Sequence, residues 1–136
     1  NPLINEVLAA ARRGVKIRVL LNDESVFGKI SVADKVFTSS KKTTNEKTVD
    51  YLNAAAHNEK LNIVAVIADI SAMGVNYIHN KGALSDGYKV LISSINWNQN
   101  SVELNRETAL LIASTDIFRH YEALFESDWE NSIERR

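Results

Sequence analysis

Cysteine is absent from the 136-residue chain, which excludes disulfides, thiolate nucleophiles and cysteine-ligated zinc and leaves the redox compartment open. One proline and five glycines are too few for a collagen-like or low-complexity polypeptide. No apolar run approaches the roughly 18 residues that a membrane-crossing helix needs, so no transmembrane segment is expected in this chain. Charge of one sign is not in excess either. Sixteen basic and seventeen acidic residues leave a net charge of -1, so bulk charge supplies no general grip on nucleic acid. What remains is 45% apolar and 24% charged, the make-up of one ordinary globular domain.

The order of elements predicts an α/β chain. Asn1-Pro2 reads as a helix cap and first helical position, followed by Leu3, Ile4, Val7, Leu8 and Ala11 at helical spacing and by Gly14 as the stop. Val15 to Leu21 alternates as a strand, with Lys16 and Arg18 opposite its apolar face. A helix returning onto a strand is the second half of a βαβ unit. The strand expected before that helix, like an initiator methionine, is absent, so the reading is a single domain over residues 1–136 that is an N-terminally truncated fragment. Asn22 to Lys42 is irregular and reads as a lid or binding loop. Thr43 to Glu46 has capping-box spacing before a helix with Val49, Leu52, Ala55 and Ala56. Leu61 to Ile70 is the pattern of a strand covered on both faces. Strands are expected at Asn76 to Leu84, Tyr88 to Ser93 and Glu107 to Ile112, with Asp86-Gly87 as the hairpin turn between the first two. A last helix begins near Ser114 to Asp116 and carries a stripe of Phe118, Tyr121, Phe125 and Trp129. The expected architecture is a mixed β-sheet, parallel early and antiparallel late, flanked by helices.

The chain has only three histidines. His57 and His120 fall on solvent-side positions of helices, without polar company. His79 differs, because Lys81 follows two residues later on the same expected strand face, roughly 7 Å along. An imidazole that titrates near neutrality beside a fixed cation suits an anionic substrate: the ammonium holds a phosphate oxygen while the imidazole attacks or moves a proton. Ser94 and Asn96, at the end of the next strand, offer neutral donors for phosphate oxygens. Glu107 opens the strand after that, where a carboxylate can accept the second ring N–H of His79 and fix its tautomer.

These residues carry a resemblance. His79-Asn80-Lys81-Gly82-Ala83-Leu84-Ser85-Asp86 is similar to the HxKxxxxD signature of the phospholipase D superfamily. Ser94-Ile95-Asn96-Trp97 resembles its GSxN segment, with Ser93 where the family usually has glycine, and Asn105-Arg106-Glu107 resembles its downstream acid. Leu8 to Leu21 resembles the family's opening βαβ element, so the resemblance extends over nearly the whole chain. It implies a phospholipase D-like half-domain and a phosphodiesterase activity, with His79 forming a phosphohistidine or protonating the leaving oxygen. Lys81, Ser94 and Asn96 would hold phosphoryl oxygens and Glu107 would orient His79. Asp86 belongs to the motif but sits at the hairpin, and is read as a structural turn residue.

Phosphodiester cleavage is mostly positioning and charge stabilisation, which lysine and amide donors can supply, so no metal or other cofactor is expected. In-line displacement needs groups on opposite sides of phosphorus, and one imidazole cannot fill both places. The family uses two HxK copies, whereas Glu59 and Glu122 stand two residues after His57 and His120. The implied partner is therefore a second HxK half, from a homodimer mate or from more of the same polypeptide. The leading expectation is a hydrolase or phosphatidyltransferase acting on a phospholipid or small diester. An endonuclease is the alternative, kept open by the basic pairs Arg12-Arg13, Lys16-Arg18 and Lys41-Lys42. A non-catalytic scaffold or dimerisation half-domain is the other.

Overall fold

The computed structural model of the chain describes residues 2–24 and 42–133, so most of the expected loop from Asn22 to Lys42 lies outside the described residues. Helix α1 (Pro2–Arg12) buries Ile4, Leu8 and Ala11, one side of a helix at the predicted spacing. Gly14, at φ 94°, turns the chain directly into strand β1 (Ile17–Leu21). Helix α2 (Thr44–Glu59) opens on the expected capping box: Thr43 Oγ1 accepts from Glu46 N, and a Glu46 carboxylate oxygen accepts from Thr43 N at 2.6 Å. Strand β2 (Ile63–Ile67) pairs with β1 in parallel, Ile17 opposite Ile63 through Leu21 opposite Ile67. Val49 and Leu52 of α2 close with α1, Val19, Ile63 and Ala65 into the core on one side of this pair. Asn53 of α2 bonds both the N–H and the C=O of Ala65, each at 2.9 Å.

An antiparallel unit follows. Strands β3 (Lys81–Ser85), β4 (Lys89–Ser93) and β5 (Ala109–Ala113) lie in that order. Between β3 and β4, Asp86 (φ 58°) and Gly87 (φ 76°) both have positive φ, which the Asp-Gly pair is suited to supply. Helix α3 (Gln99–Glu103), which the sequence reading did not anticipate, is one short turn capped by Asn98 Oδ1 accepting from Ser101 N at 2.9 Å. Helix α4 (Thr115–Ile133) crosses the other side, against β2, β3 and β4. Phe118 and Trp129 of its aromatic stripe are buried with Val66, Ala68 and Val90.

The α/β class holds, with parallel strands early, antiparallel strands late and helices flanking them, the strands forming two hydrogen-bonded units, a parallel pair and an antiparallel triplet. Two expectations are corrected. The Leu61 to Ile70 strand is β2 alone, and it is not covered throughout, since Val64 is 47% exposed. It stops where the Asp69 carboxylate accepts from Ala72 N at 2.9 Å, an Asx-type turn that competes with strand pairing. The strand expected from Asn76 begins only at Lys81, because β4 ends opposite it, at Ser93. Residues 76–80 therefore have no ladder partner on β4, and His79 lies in an irregular segment rather than on a strand.

Arg18, on the strand face opposite the apolar one, meets α4. Its guanidinium lies 5.0 Å from the Phe125 ring centroid and 5.3 Å from that of Trp129, and it holds the Glu126 carboxylate with two hydrogen bonds. It ties β1 to α4.

Backbone proximity explains the glycine that follows Lys81. A Cβ added at Gly82 would meet the Leu91 carbonyl oxygen at 2.3 Å, and neither strand backbone can yield without disturbing the ladder. Gly82→Ala is expected to lower stability by about 1–3 kcal/mol, measured by urea unfolding, and to disturb the amide resonances of Lys81 and Ile92 before those of α1.

Candidate active site

Register brings the candidate residues together. Lys81, the first residue of β3, pairs with Ser93, the last of β4, which pairs with Ala109, the first of β5. The segments that leave the sheet at this end are therefore the one carrying His79, the one carrying Ser94 and Asn96, and the one carrying Glu107. Asp86 lies at the opposite end of the hairpin, just past Ser85, which is itself four residue steps or roughly 13 Å along β3 from Lys81. It bonds Ser85 and approaches Lys89 at 3.4 Å, as a turn residue would.

Ser94 and Glu107 form the centre of the cluster. Ser94 N donates to Thr108 O at 2.9 Å, and Thr108 N donates to Ser94 Oγ at 3.0 Å. The hydroxyl in turn donates to Glu107 Oε2, while Asn105 Nδ2 donates to the other carboxylate oxygen at 3.1 Å. The Ser94 hydroxyl above all, then the Asn105 amide, hold the Glu107 carboxyl below its usual range, and the charge of Lys81 adds in the same direction. Among the described residues the carboxylate makes no hydrogen bond to the His79 ring. Thr108 is a supporting residue that sequence reasoning missed, since its part depends on a contact between the end of β4 and the start of β5, whereas Asn105, two residues before Glu107, acts locally.

The half-buried Lys81 donates through Nζ to the backbone oxygen of His79 at 2.6 Å. The His79 ring is exposed and stands edge-on to Tyr77, with centroids 5.6 Å apart and planes at 87°. The Asn96 side chain is exposed. Ser93, in the usual place of a glycine, directs its hydroxyl at its own turn, accepting from Ile95 N at 3.0 Å. His57 and His120 are exposed on α2 and α4, as expected.

Residues 1–129 match the family described as "Cardiolipin synthase, PLD-like domain". The chain belongs to the phospholipase D superfamily. Among its curated relatives, the mitochondrial cardiolipin hydrolase of Xenopus laevis is 39% identical over 67 residues, 49% of this chain and 30% of that protein. The Mus musculus protein of the same name is 32% identical over 56 residues, 41% of this chain and 25% of its own length. Of solved structures, NucT from Helicobacter pylori superposes with a TM-score of 0.66 at 20% identity, covering 96% of this chain and 72% of that one. A phospholipase D family member, Nuc from Salmonella typhimurium, gives 0.65 at 15% identity, with 95% and 70% covered. At those identities the two structures speak for the fold.

Elsewhere on this phospholipase D-like chain, the basic pairs that kept a nucleic-acid surface in view are partly engaged. Arg12 is held by Glu59 through two 2.7 Å hydrogen bonds, Arg18 by Glu126, and Lys42 by Asp50. Each paired cation has a carboxylate beside it, which weakens its pull on a phosphate backbone.

The Glu107 carboxyl makes the site pH-dependent in a definite sense. Its folded-state value is lowered, so the Ser94 contact stabilises the site above the ordinary carboxylate range and is lost as pH falls through the depressed value. Ser94→Ala is expected to move the Glu107 titration, followed by carboxyl-carbon NMR, up toward the usual range. An unchanged titration would show that the hydroxyl is not what holds it down.

Proposed function

We propose that the chain is half of a metal-independent phosphodiesterase site, in which His79 attacks phosphorus to form a phosphohistidine or protonates the departing oxygen. The observation that carries this reading is the convergence of the histidine segment, Lys81, the Ser94–Glu107 pair and Asn96 at one end of the antiparallel unit. Lys81 and the exposed Asn96 amide bind two phosphoryl oxygens, placing charge and neutral donors where negative charge develops. Ser94 is engaged by Glu107 until an anion competes for its proton. Once the hydroxyl turns to a phosphoryl oxygen, the Glu107 carboxylate is free to accept a ring N–H of His79 and to support the imidazolium form.

In the attacking role, the His79 nitrogen forms a P–N bond as the ester P–O bond breaks, and the departing oxygen takes a proton from the opposite face. Water or an alcohol then displaces the imidazole, giving hydrolysis or transfer. The opposite-face acid is a second HxK motif, from an identical chain or from another segment of the same polypeptide. The favoured substrate is a phospholipid diester. The pairing of Arg12, Arg18 and Lys42 with carboxylates supports it over nucleic acid, as does the name of the curated relatives, cardiolipin hydrolases.

His79→Ala is expected to lower turnover of cardiolipin vesicles, or of bis(p-nitrophenyl) phosphate, by about 10²- to 10⁴-fold, and to abolish acid-labile phosphoprotein on rapid quenching. Wild-type turnover should be unaffected by EDTA; its loss on chelation would overturn the metal-free mechanism, and a scaffold would show no turnover and no phosphoprotein under any condition. A second motif from an identical chain should make activity at low concentration rise as the square of chain concentration, whereas one from the same polypeptide should leave the rise linear. Salt-sensitive cleavage of single-stranded DNA with no action on vesicles would favour the endonuclease.

A further inference from the structure

The segment that carries His79 belongs to neither sheet, yet its backbone is held from both sides. Lys81 Nζ donates to His79 O at 2.6 Å. One residue earlier, Ile78 N donates to the side-chain oxygen of Asn22 at 2.7 Å. Asn22 stands just past the carboxyl end of β1, in the other hydrogen-bonded unit. Its own position is fixed in turn: its Nδ2 donates to Asp23 O at 3.0 Å, and its backbone oxygen accepts from Asn45 Nδ2, in the first turn of α2, at 2.9 Å. Asn45 N is taken by the Glu24 carboxylate at 2.9 Å. The capped end of α2, the end of β1 and the histidine segment thus form one connected network.

We infer that Asn22 is a positioning residue for His79: its side-chain oxygen, by fixing the Ile78 N–H, holds the imidazole in register with Lys81 and the Ser94–Glu107 pair. The inference rests on the reading of His79 as the reacting group. The physical need is specific. A half-buried N–H outside any ladder must find an acceptor, and the acceptor found here follows directly on β1 of the parallel unit, so the contact sets how the two units meet at the site. The Lys81 contact cannot do the same work during catalysis, because a phosphoryl oxygen draws the ammonium away from the His79 carbonyl. Asn22 is then the anchor that remains. It touches no reacting atom in this role.

Asn22→Leu removes the acceptor, whereas Asn22→Asp keeps an oxygen in the same place. In the full chain, with bis(p-nitrophenyl) phosphate as the probe, Asn22→Leu is expected to lower kcat by about 10- to 100-fold with KM little changed. Asn22→Asp should recover most of that loss. Because the chain has only three histidines, ring-proton NMR gives a readout independent of turnover: Asn22→Leu should move the His79 resonances and leave those of His57 and His120 in place, with faster amide exchange at Ile78. Equal loss in the Leu and Asp variants, an unchanged kcat in the Leu variant, or unmoved His79 resonances would overturn the inference. Activity that survives His79→Ala would instead overturn the functional reading, and the His79 resonances would still decide whether Asn22 sets the ring's place.

Discussion

The site depends on where three short strands stop. β3, β4 and β5 are each five residues long, and their ladders begin or end together at Lys81, Ser93 and Ala109. Antiparallel pairing makes the start of one strand neighbour the end of the next, so the chain enters or leaves the sheet three times at this one end. Residues far apart in sequence, from His79 to Glu107, are thereby brought to one end of the sheet by the backbone ladders, and side-chain hydrogen bonds complete the placement. The close approach of Gly82 to the Leu91 carbonyl shows how tightly this pairing is set next to the site lysine. The Asp-Gly turn at the far end fixes the register that lets the near end converge.

Charge is distributed to serve this arrangement. Arg12, Arg18 and Lys42 on the early elements have carboxylate partners, and Arg18 in particular lies against two aromatic rings of α4 while holding Glu126. It links the parallel unit to the helix that covers the antiparallel one. At the site the balance is different: Lys81 lies beside an exposed imidazole and near a carboxylate held in its ionised form by a hydroxyl and an amide. The proposed phosphate site would thus sit on a near-neutral chain with no net basic charge, which is the ground for proposing a small or membrane-borne diester over a long polyanion.

Two hydrogen-bonded units that share no ladder need other means of alignment. Ser132, buried on α4, accepts from Asp69 N at 3.0 Å and so ties that helix to the chain just beyond β2. Asn22 does the corresponding work at the site end, from β1 to the histidine segment. Polar side chains are suited to these junctions, because each satisfies a backbone group that no strand reaches, and each does so in one geometry only.

Local chemistry was legible in the chain from the start. Thr43 and Glu46 announce a helix, Asp86-Gly87 a hairpin, and the apolar spacings of α1 and α4 their buried sides, because capping, positive φ and periodicity act over a few residues. The HxK spacing with Ser94, Asn96 and Glu107 likewise pointed to a phosphodiester chemistry and to its family. Tertiary structure alone decided that His79 stands off the strand, that Glu107 holds Ser94, and that the expected mixed sheet is two units bridged by Asn22. Each of these turns on which partner a hydrogen-bonding group finds at a distance in sequence, thirteen residues for Ser94 and Glu107 and 56 for Asn22 and Ile78. That competition is resolved only when the packed elements fix which donors and acceptors are within 3 Å of one another.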